Sequence, residues 1–369
     1  MQIVVLDAKT LKVDELDLGP WRALGTLSLY DRTAPQLVPQ RLRGADVVLT
    51  NKVPLSSEAL KGAAALKMIG VLATGYDVVD TKAARALGIP VCNVPGYAAG
   101  GVTESVFGFL LEMTRHTAQS TLRIRQGAWT ACPEFCWWEK TPLALEGRTL
   151  GVVGCGAIGS RVAAVGRAFG MVVLGYARHS HPDFPGKQVS LDELLAASDV
   201  ITLHCPATAE NQGFVNAETI AMMKDGALLI NTARGALVNE SDVAAALVSG
   251  KLGGYGADVV SREPIDIHNP LLKAPNCYLT GHSAWASAEA RQKIVDVTAE
   301  SIRGALAGKP VNVVNREPID VHNPLLKAPN CYLTGHSAWA TVEARQRIVD
   351  VTADSIRGVL ESKPVNVVN

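Results

Sequence analysis

At 369 residues the chain is too long for one ordinary hydrophobic core and suits two domains. With 48% hydrophobic and 19% charged residues, its composition is globular rather than disordered. The 35 basic and 35 acidic residues cancel, and no block of Lys and Arg stands out. That balance argues against electrostatic recruitment by nucleic acid or an anionic membrane and favours small-molecule chemistry.

The first residues, MQIVVLDA, read as a buried strand and not as an export signal. Nowhere do about 18 uninterrupted apolar residues occur, roughly what a membrane-spanning helix requires, so a soluble protein is expected. Further apolar runs, ADVVLT, KMIGVL and IPVCNV, alternate with the helical stretches SSEALKGAA and DTKAARALG. This pattern predicts a smaller α/β domain over residues 1–95. Near residues 93–96 the chain should cross into a second domain, 96–294, opening with one helix over TESVFGFLLEMTRHTAQSTLRIRQ. Apolar residues on more than one face of that helix suit burial against the fold and against another subunit. The seven cysteines are scattered, and the one close pair, Cys132 and Cys136, lacks a second cluster at metal-ligand spacing. Free thiols in a reducing cytoplasm, and no metal, are expected.

Residues 148–176 run RTLGVVGCGAIGSRVAAVGRAFGMVVLGY, in the order strand, glycine turn, helix, strand. Gly154, Gly156 and Gly159 sit where a buried strand turns sharply into a helix. The first permits the turn, the second lets backbone approach a pyrophosphate, and the third allows close helix–strand packing. The helix N-terminus then presents unpaired N–H groups to phosphate. The second strand runs out into GYARHS, with no acidic residue to grip the adenine-ribose hydroxyls. Arg178, His179 and Ser180 stand at that turn instead. A guanidinium can pair with a 2′-phosphate and a hydroxyl can donate to it, which predicts NADP(H) in preference to NAD(H). The alternative is that Arg178 stacks on adenine.

The runs DVITLHC, GALLINTA, GYGADVV and NCYLTG, with helices such as NAETIAMMK and ESDVAAALVSG between them, predict a doubly wound parallel sheet of Rossmann type. Ligands bind such sheets beyond the carboxyl ends of the strands. There the sequence puts Arg234 after LLINTA, Glu263 after GADVVSR and His282 after YLTG. Reduction of a 2-keto acid needs these types: a planar guanidinium for the substrate carboxylate, and an imidazolium to protonate the developing alkoxide. A carboxylate beside the imidazole orients it and favours its cationic form.

The segments VGCGAIG, SDVITLHCP, LLINTARGALVNE, DVVSREP and TGHSAW resemble the D-isomer-specific 2-hydroxyacid dehydrogenase family over residues 1–315. The resemblance implies a flavodoxin-like first domain completed by residues from about 295 to 315, NAD(P)H and a small 2-keto or D-2-hydroxy acid as ligands, and a homodimer. It implies Arg234, Glu263 and His282 as the catalytic trio, with His282 as the acid/base. It also implies Thr103, Ala157, Ile158, Cys205, Pro206, Thr232 and Asp258 along the cofactor, and backbone N–H groups of Thr74 and Gly75 on the substrate carboxylate. The stretch PEFCWWEKTPLALEGRTLG is similar to the glycerate dehydrogenase and hydroxypyruvate or glyoxylate reductase branch. Trp138 within it either reaches a partner's active site or simply packs. The alternatives are the phosphoglycerate and D-lactate dehydrogenase branches, and a nicotinamide-sensing, corepressor-like protein without turnover.

Residues 262–315 recur almost verbatim as 316–369, a tandem duplication. The two copies offer His282 and His336 for one structural slot. Using the second would strand the apolar face of the first, a heavier penalty than loop length. The first copy is therefore expected in the enzyme and the second as an appendage or a contact with another subunit.

Overall fold

The computed structural model describes residues 1–63 and 65–316, so the duplicate copy and His336 lie outside the described residues. Residues Met1–Asn315 make one compact unit containing two parallel sheets. The first holds β1 (Gln2–Val5), β2 (Thr26–Leu29), β3 (Val47–Thr50), β4 (Met68–Val71) and β5 (Val91–Cys92), in the order β2-β1-β3-β4-β5. The second holds β6 (Thr149–Val153), β7 (Val172–Tyr176), β8 (Lys187–Gln188), β9 (Val200–Leu203), β10 (Ala227–Asn231), β11 (Leu252–Ala257) and β12 (Cys277–Leu279). Its order is β12-β11-β10-β9-β6-β7-β8, with the reversal between β6 and β9. These are the flavodoxin-like and Rossmann-type orders, and the reversal is the switch point at which such sheets open a crevice.

Period-two alternation explains why both faces of each sheet are buried. Ile3, Val5, Val47 and Leu49 face one cluster, whereas Val4, Leu6 and Val48 face another. In the second sheet, Val153, Ile201 and Leu229 pack on the helix Glu240–Ser249, and Leu150, Val152 and Ile230 pack on the helices Ala99–Arg115 and Ala157–Ala168. The continuous apolar strands of the sequence are the expected signature of such two-sided burial.

The expected single helix over residues 103–126 is two helices. Ala99–Arg115 ends where His116 takes a left-handed φ of 53° and its N–H closes onto the Glu112 carbonyl at 2.9 Å. Thr117–Arg125 follows and buries none of its residues, so the apolar pattern had merged a core helix with a surface one.

After β12 the chain returns to the first sheet through the helix Ala288–Leu306. Ile294, Val295, Ala299 and Ile302 lie on Trp21, Leu49 and Met68. Trp21 Nε1 donates to the Val295 carbonyl at 3.0 Å, and buried Arg291 donates to the Leu11 carbonyl at 2.8 Å. The first copy of the repeat is thus built into the core. Truncating Ile294, fully buried in that contact, to Ala should destabilise the fold by about 2–5 kcal/mol, read as a lowered denaturation midpoint. An unchanged midpoint would show that this helix does not hold the first sheet.

Candidate active site

Every strand of the second sheet ends at the same edge, where two adjoining cavities open. The larger, about 510 Å³, lies over the glycine turn and is lined by Gly154, Gly156, Arg178, His179, Cys205 and Pro206 among others. Gly154 has φ +104°, and a Cβ there would meet the His204 carbonyl carbon at 2.6 Å. A Cβ on Gly159 would collide with the Gly154 carbonyl oxygen, so the helix packs directly on the turn. Gly156, by contrast, faces open space at the N-terminus of the helix Ala157–Ala168, and no side chain caps its first turn. Backbone donors and room for an anion therefore coincide. Arg178 lines this cavity with Cys205 and Glu210, and its charge favours the ionised form of both. Burial pushes the neighbouring His204 down to about 3, so its ring is neutral.

The second cavity, about 170 Å³, is lined by Ile158, Thr232, Arg234, Asp258 and His282 from the second sheet, and by Asn51, Lys52, Thr74, Gly75, Asp77 and Tyr97 from the first. His282 Nδ1 lies 2.7 Å from Glu263 Oε2, which leaves Nε2 as the ring nitrogen open to a ligand. Burial works to raise Glu263. The hydrogen bond and charge of His282, the Val260 N–H and the Lys52 charge outweigh it and hold the carboxyl below its ordinary range.

Asp258, 2% exposed, ties this edge together. Its Oδ1 accepts from the Ser283 N–H at 2.8 Å and from the Thr280 hydroxyl, and its Oδ2 accepts from the Ala284 N–H at 2.9 Å. Its carbonyl takes the His282 N–H at 2.7 Å, and Trp285 Nε1 donates back to the His282 carbonyl at 2.8 Å. These bonds fix His282 in a left-handed conformation with φ 53°. Buried Asn231 does the same for Arg234, donating to its carbonyl at 2.9 Å while accepting from the Ala233 N–H.

On the facing side, the Thr74 hydroxyl donates to the Val94 carbonyl at 2.8 Å, and Asn93 Nδ2 donates to the Thr74 carbonyl at 2.7 Å. The backbone N–H groups of Thr74 and Gly75 donate to none of the described residues. The Thr232 hydroxyl is buried and likewise without a hydrogen-bond partner among the described residues. An unpaired buried hydroxyl is costly unless a ligand meets it.

Two residues expected along the cofactor, Thr103 and Ser180, stand away from the two cavities. Thr103 turns its hydroxyl onto the Ala99 carbonyl at 2.7 Å, and Val102 lines the cavity in its place. Ser180 is exposed beyond the 510 Å³ cavity, whereas Ala157 opens the helix whose uncapped first turn faces the space at Gly156. The sequence reading missed Asn51, Lys52, Asp77 and Tyr97. Asp7 places the first two: its carboxylate accepts from the N–H groups of Asn51 at 2.9 Å, Lys52 at 2.6 Å and Val53 at 3.2 Å. Burial lowers the Lys52 ammonium and the Arg234 charge adds to this, while Glu263, Asp7 and Asp77 oppose it. Burial also pushes the Tyr97 phenol up to about 12.

Residues 107–284 match the family model of the D-isomer specific 2-hydroxyacid dehydrogenase, NAD binding domain. A hydroxypyruvate reductase of Blautia hydrogenotrophica is 42% identical over 322 residues, covering 86% of this chain and all of the relative. The chain belongs to the D-isomer specific 2-hydroxyacid dehydrogenases. A glycerate dehydrogenase of Methylorubrum extorquens is 41% identical over 288 residues, 77% of this chain and 90% of the relative. Among solved structures, the TT0316 protein of Thermus thermophilus superposes with a TM-score of 0.74 at 32% identity, over 85% of this chain and all of that one. The chain is thus an oxidoreductase with a nicotinamide-cofactor domain, and the open glycine cradle and the orphaned Thr232 hydroxyl fit such a cofactor.

A Cβ added to Gly75 would strike the Arg234 guanidinium, the movable end of a long side chain. Gly75→Ala should therefore leave thermal stability nearly unchanged while lowering kcat/KM for a 2-keto acid on the order of 10²-fold, because the cation is displaced. Unchanged kinetics would show that the guanidinium position does not matter.

Proposed function

We propose that this dehydrogenase reduces hydroxypyruvate and glyoxylate with NADPH, using Arg234, Glu263 and His282 of the first repeat copy. The observation that carries the reading is the 2.7 Å His282–Glu263 pair opening on a cavity that also holds Arg234. The backbone N–H groups of Thr74 and Gly75, without a hydrogen-bond acceptor among the described residues, complete the pocket. The reductase and dehydrogenase names of the relatives support the substrate class.

In this reading the substrate carboxylate lies on the Arg234 guanidinium and the Thr74 and Gly75 N–H groups, which polarise and orient the adjoining ketone. The cofactor supplies a hydride to the carbonyl carbon. His282, held by Glu263 at Nδ1, gives the Nε2 proton to the oxygen as negative charge develops there. Oxidation of the hydroxy acid runs the same path backwards, with neutral His282 taking the hydroxyl proton. Ile158, the Thr232 hydroxyl and Asp258, which line this cavity, would hold the nicotinamide end of the cofactor. Gly154, Gly156 and Gly159 shape the turn that would take the pyrophosphate, and Cys205, Pro206, Arg178 and His179 line the cavity that would take the adenosine end. Arg178, in place of an acidic residue, favours the 2′-phosphate.

The domain frontier follows the two sheets. In this reading residues 1–95 with the returning helix and the segment to about 315 form one body, since Arg291 and Ile294 already pack on the first sheet, and the remaining residues from 96 form the other, so that closing the cleft would expel water from the substrate. Exposed Leu122, Trp129, Phe135 and Trp138 lie on the segment after the long helix, and they support a homodimer through this face. The unbonded thiols of Cys132, Cys155 and Cys205 support a reducing, cytoplasmic setting. Among the described residues no helix is long and apolar enough to cross a membrane.

Initial rates with hydroxypyruvate and glyoxylate, each with NADPH and NADH, test the assignment. His282→Ala should lose about 10²–10⁴-fold in kcat. Arg178→Ala should weaken NADPH on the order of tenfold and leave NADH nearly unchanged. Keto-acid reduction should fall as pH rises, because it takes up a proton, while hydroxy-acid oxidation, which releases one, rises. The support from Glu263 persists below the ordinary carboxylate range, since its pKa is depressed, and is lost only as pH falls through that lowered value. Parallel pH profiles in the two directions, or full activity of His282→Ala, would defeat the mechanism.

A further inference from the structure

A third cavity, of about 370 Å³, lies at the opposite edge of the second sheet, beneath the amino-terminal ends of β6 and β9–β12. It holds roughly a dozen waters' worth of space. It shares no residue with the catalytic edge, and the proposed reaction gives it no role.

Its charges are unevenly paired. Asp199 serves two cations, with Lys224 Nζ at 3.1 Å and Arg148 Nη1 at 3.7 Å from Oδ1. The latter distance is too long for a hydrogen bond. Arg148 Nε is spent on the Ala144 carbonyl at 2.8 Å, so the Nη edge of the guanidinium has no hydrogen-bond acceptor among the described residues. Asp225, the other lining carboxylate, is already paired with Lys251 at 2.8 Å. Lys140 therefore has no carboxylate partner among the described residues. Its ammonium donates only to the neutral amide oxygen of Asn276, at 2.8 Å, with two N–H donors left over.

His116 adds a second signal. Its ring lines the cavity, and its Nδ1 is buried without a hydrogen-bond partner among the described residues. A buried lone pair is cheaper to leave unpaired than a buried N–H, so the favoured tautomer carries its proton on Nε2 as a further donor. Burial and the Lys140 charge hold this ring's pKa down, with Glu112 opposing. The break at His116 that splits the expected long helix is what brings the ring here.

We propose that this cavity binds the phosphate group of a small phosphate monoester. Spare donors on Lys140, Lys224 and Arg148 outnumber what a carboxylate's two oxygens would use, whereas a monoester offers three terminal oxygens and about two negative charges. Met113, Leu143 and Leu228 form an apolar wall for the few carbon atoms of the ester, and Thr141 stands at the rim.

Calorimetric titration of the full chain with glycerol 3-phosphate, inorganic phosphate and glycerol tests this. Glycerol 3-phosphate should bind saturably and more tightly than inorganic phosphate, and glycerol should give no binding. Lys140→Ala, a change at an exposed side chain, should weaken Kd about tenfold or more, and Lys140→Arg should restore most of it. Arg178→Ala should leave Kd unchanged. The proposal falls if nothing binds at millimolar concentration, or if inorganic phosphate binds as well as the ester. It falls equally if Arg178→Ala abolishes binding while Lys140→Ala does not, since the phosphate would then occupy the glycine-turn cavity.

Discussion

The buried carboxylate of Asp258 is the constraint on which the catalytic edge depends. It leaves the end of β11 and takes three donors from the turn after β12, so the two strands' exits behave as one rigid piece. The left-handed backbone at His282 is strained for a non-glycine residue, and this clamp holds it. Because Glu263 reaches the same ring from the other side, the imidazole is fixed at both its backbone and its Nδ1.

The facing half of the pocket rests on a second buried carboxylate. Asp7, at the end of β1, gathers the loop after β3 and thereby sets Asn51 and Lys52 over the cavity. Burial raises its pKa in spite of those bonds, so this support costs stability that the surrounding apolar core must offset. The two halves meet through long side chains and a small apolar cluster in which Tyr97, Ala98 and Val102 pack on Ala284 and Trp285. That is a suitable arrangement for a cleft that must open to load substrate and close to exclude water.

Much of this was legible in the sequence, for identifiable reasons. Apolar strands buried on both faces announce themselves, and the rule that ligands bind at the carboxyl ends of parallel strands singled out Arg234 and His282. Strand β2 escaped because TLSL is a half-exposed edge strand without alternation. Lys52 and Tyr97 escaped because they follow strands of the first sheet, which carries no glycine turn to mark its ligand edge. Lys52 stands just beyond the carboxyl end of β3 and could have been found by the strand-end rule. Thr103 misled because a helical threonine can satisfy its hydroxyl on the preceding turn, which sequence spacing does not reveal.

The central claim is that the first of two nearly identical segments supplies the acid/base. A crystal structure of the full chain with NADPH and a non-reducible 2-keto acid analogue tests it most directly. The account predicts His282 Nε2 at hydrogen-bond distance from the analogue's keto oxygen and Arg234 on its carboxylate. Finding His336 at that oxygen, with His282 displaced, would contradict it.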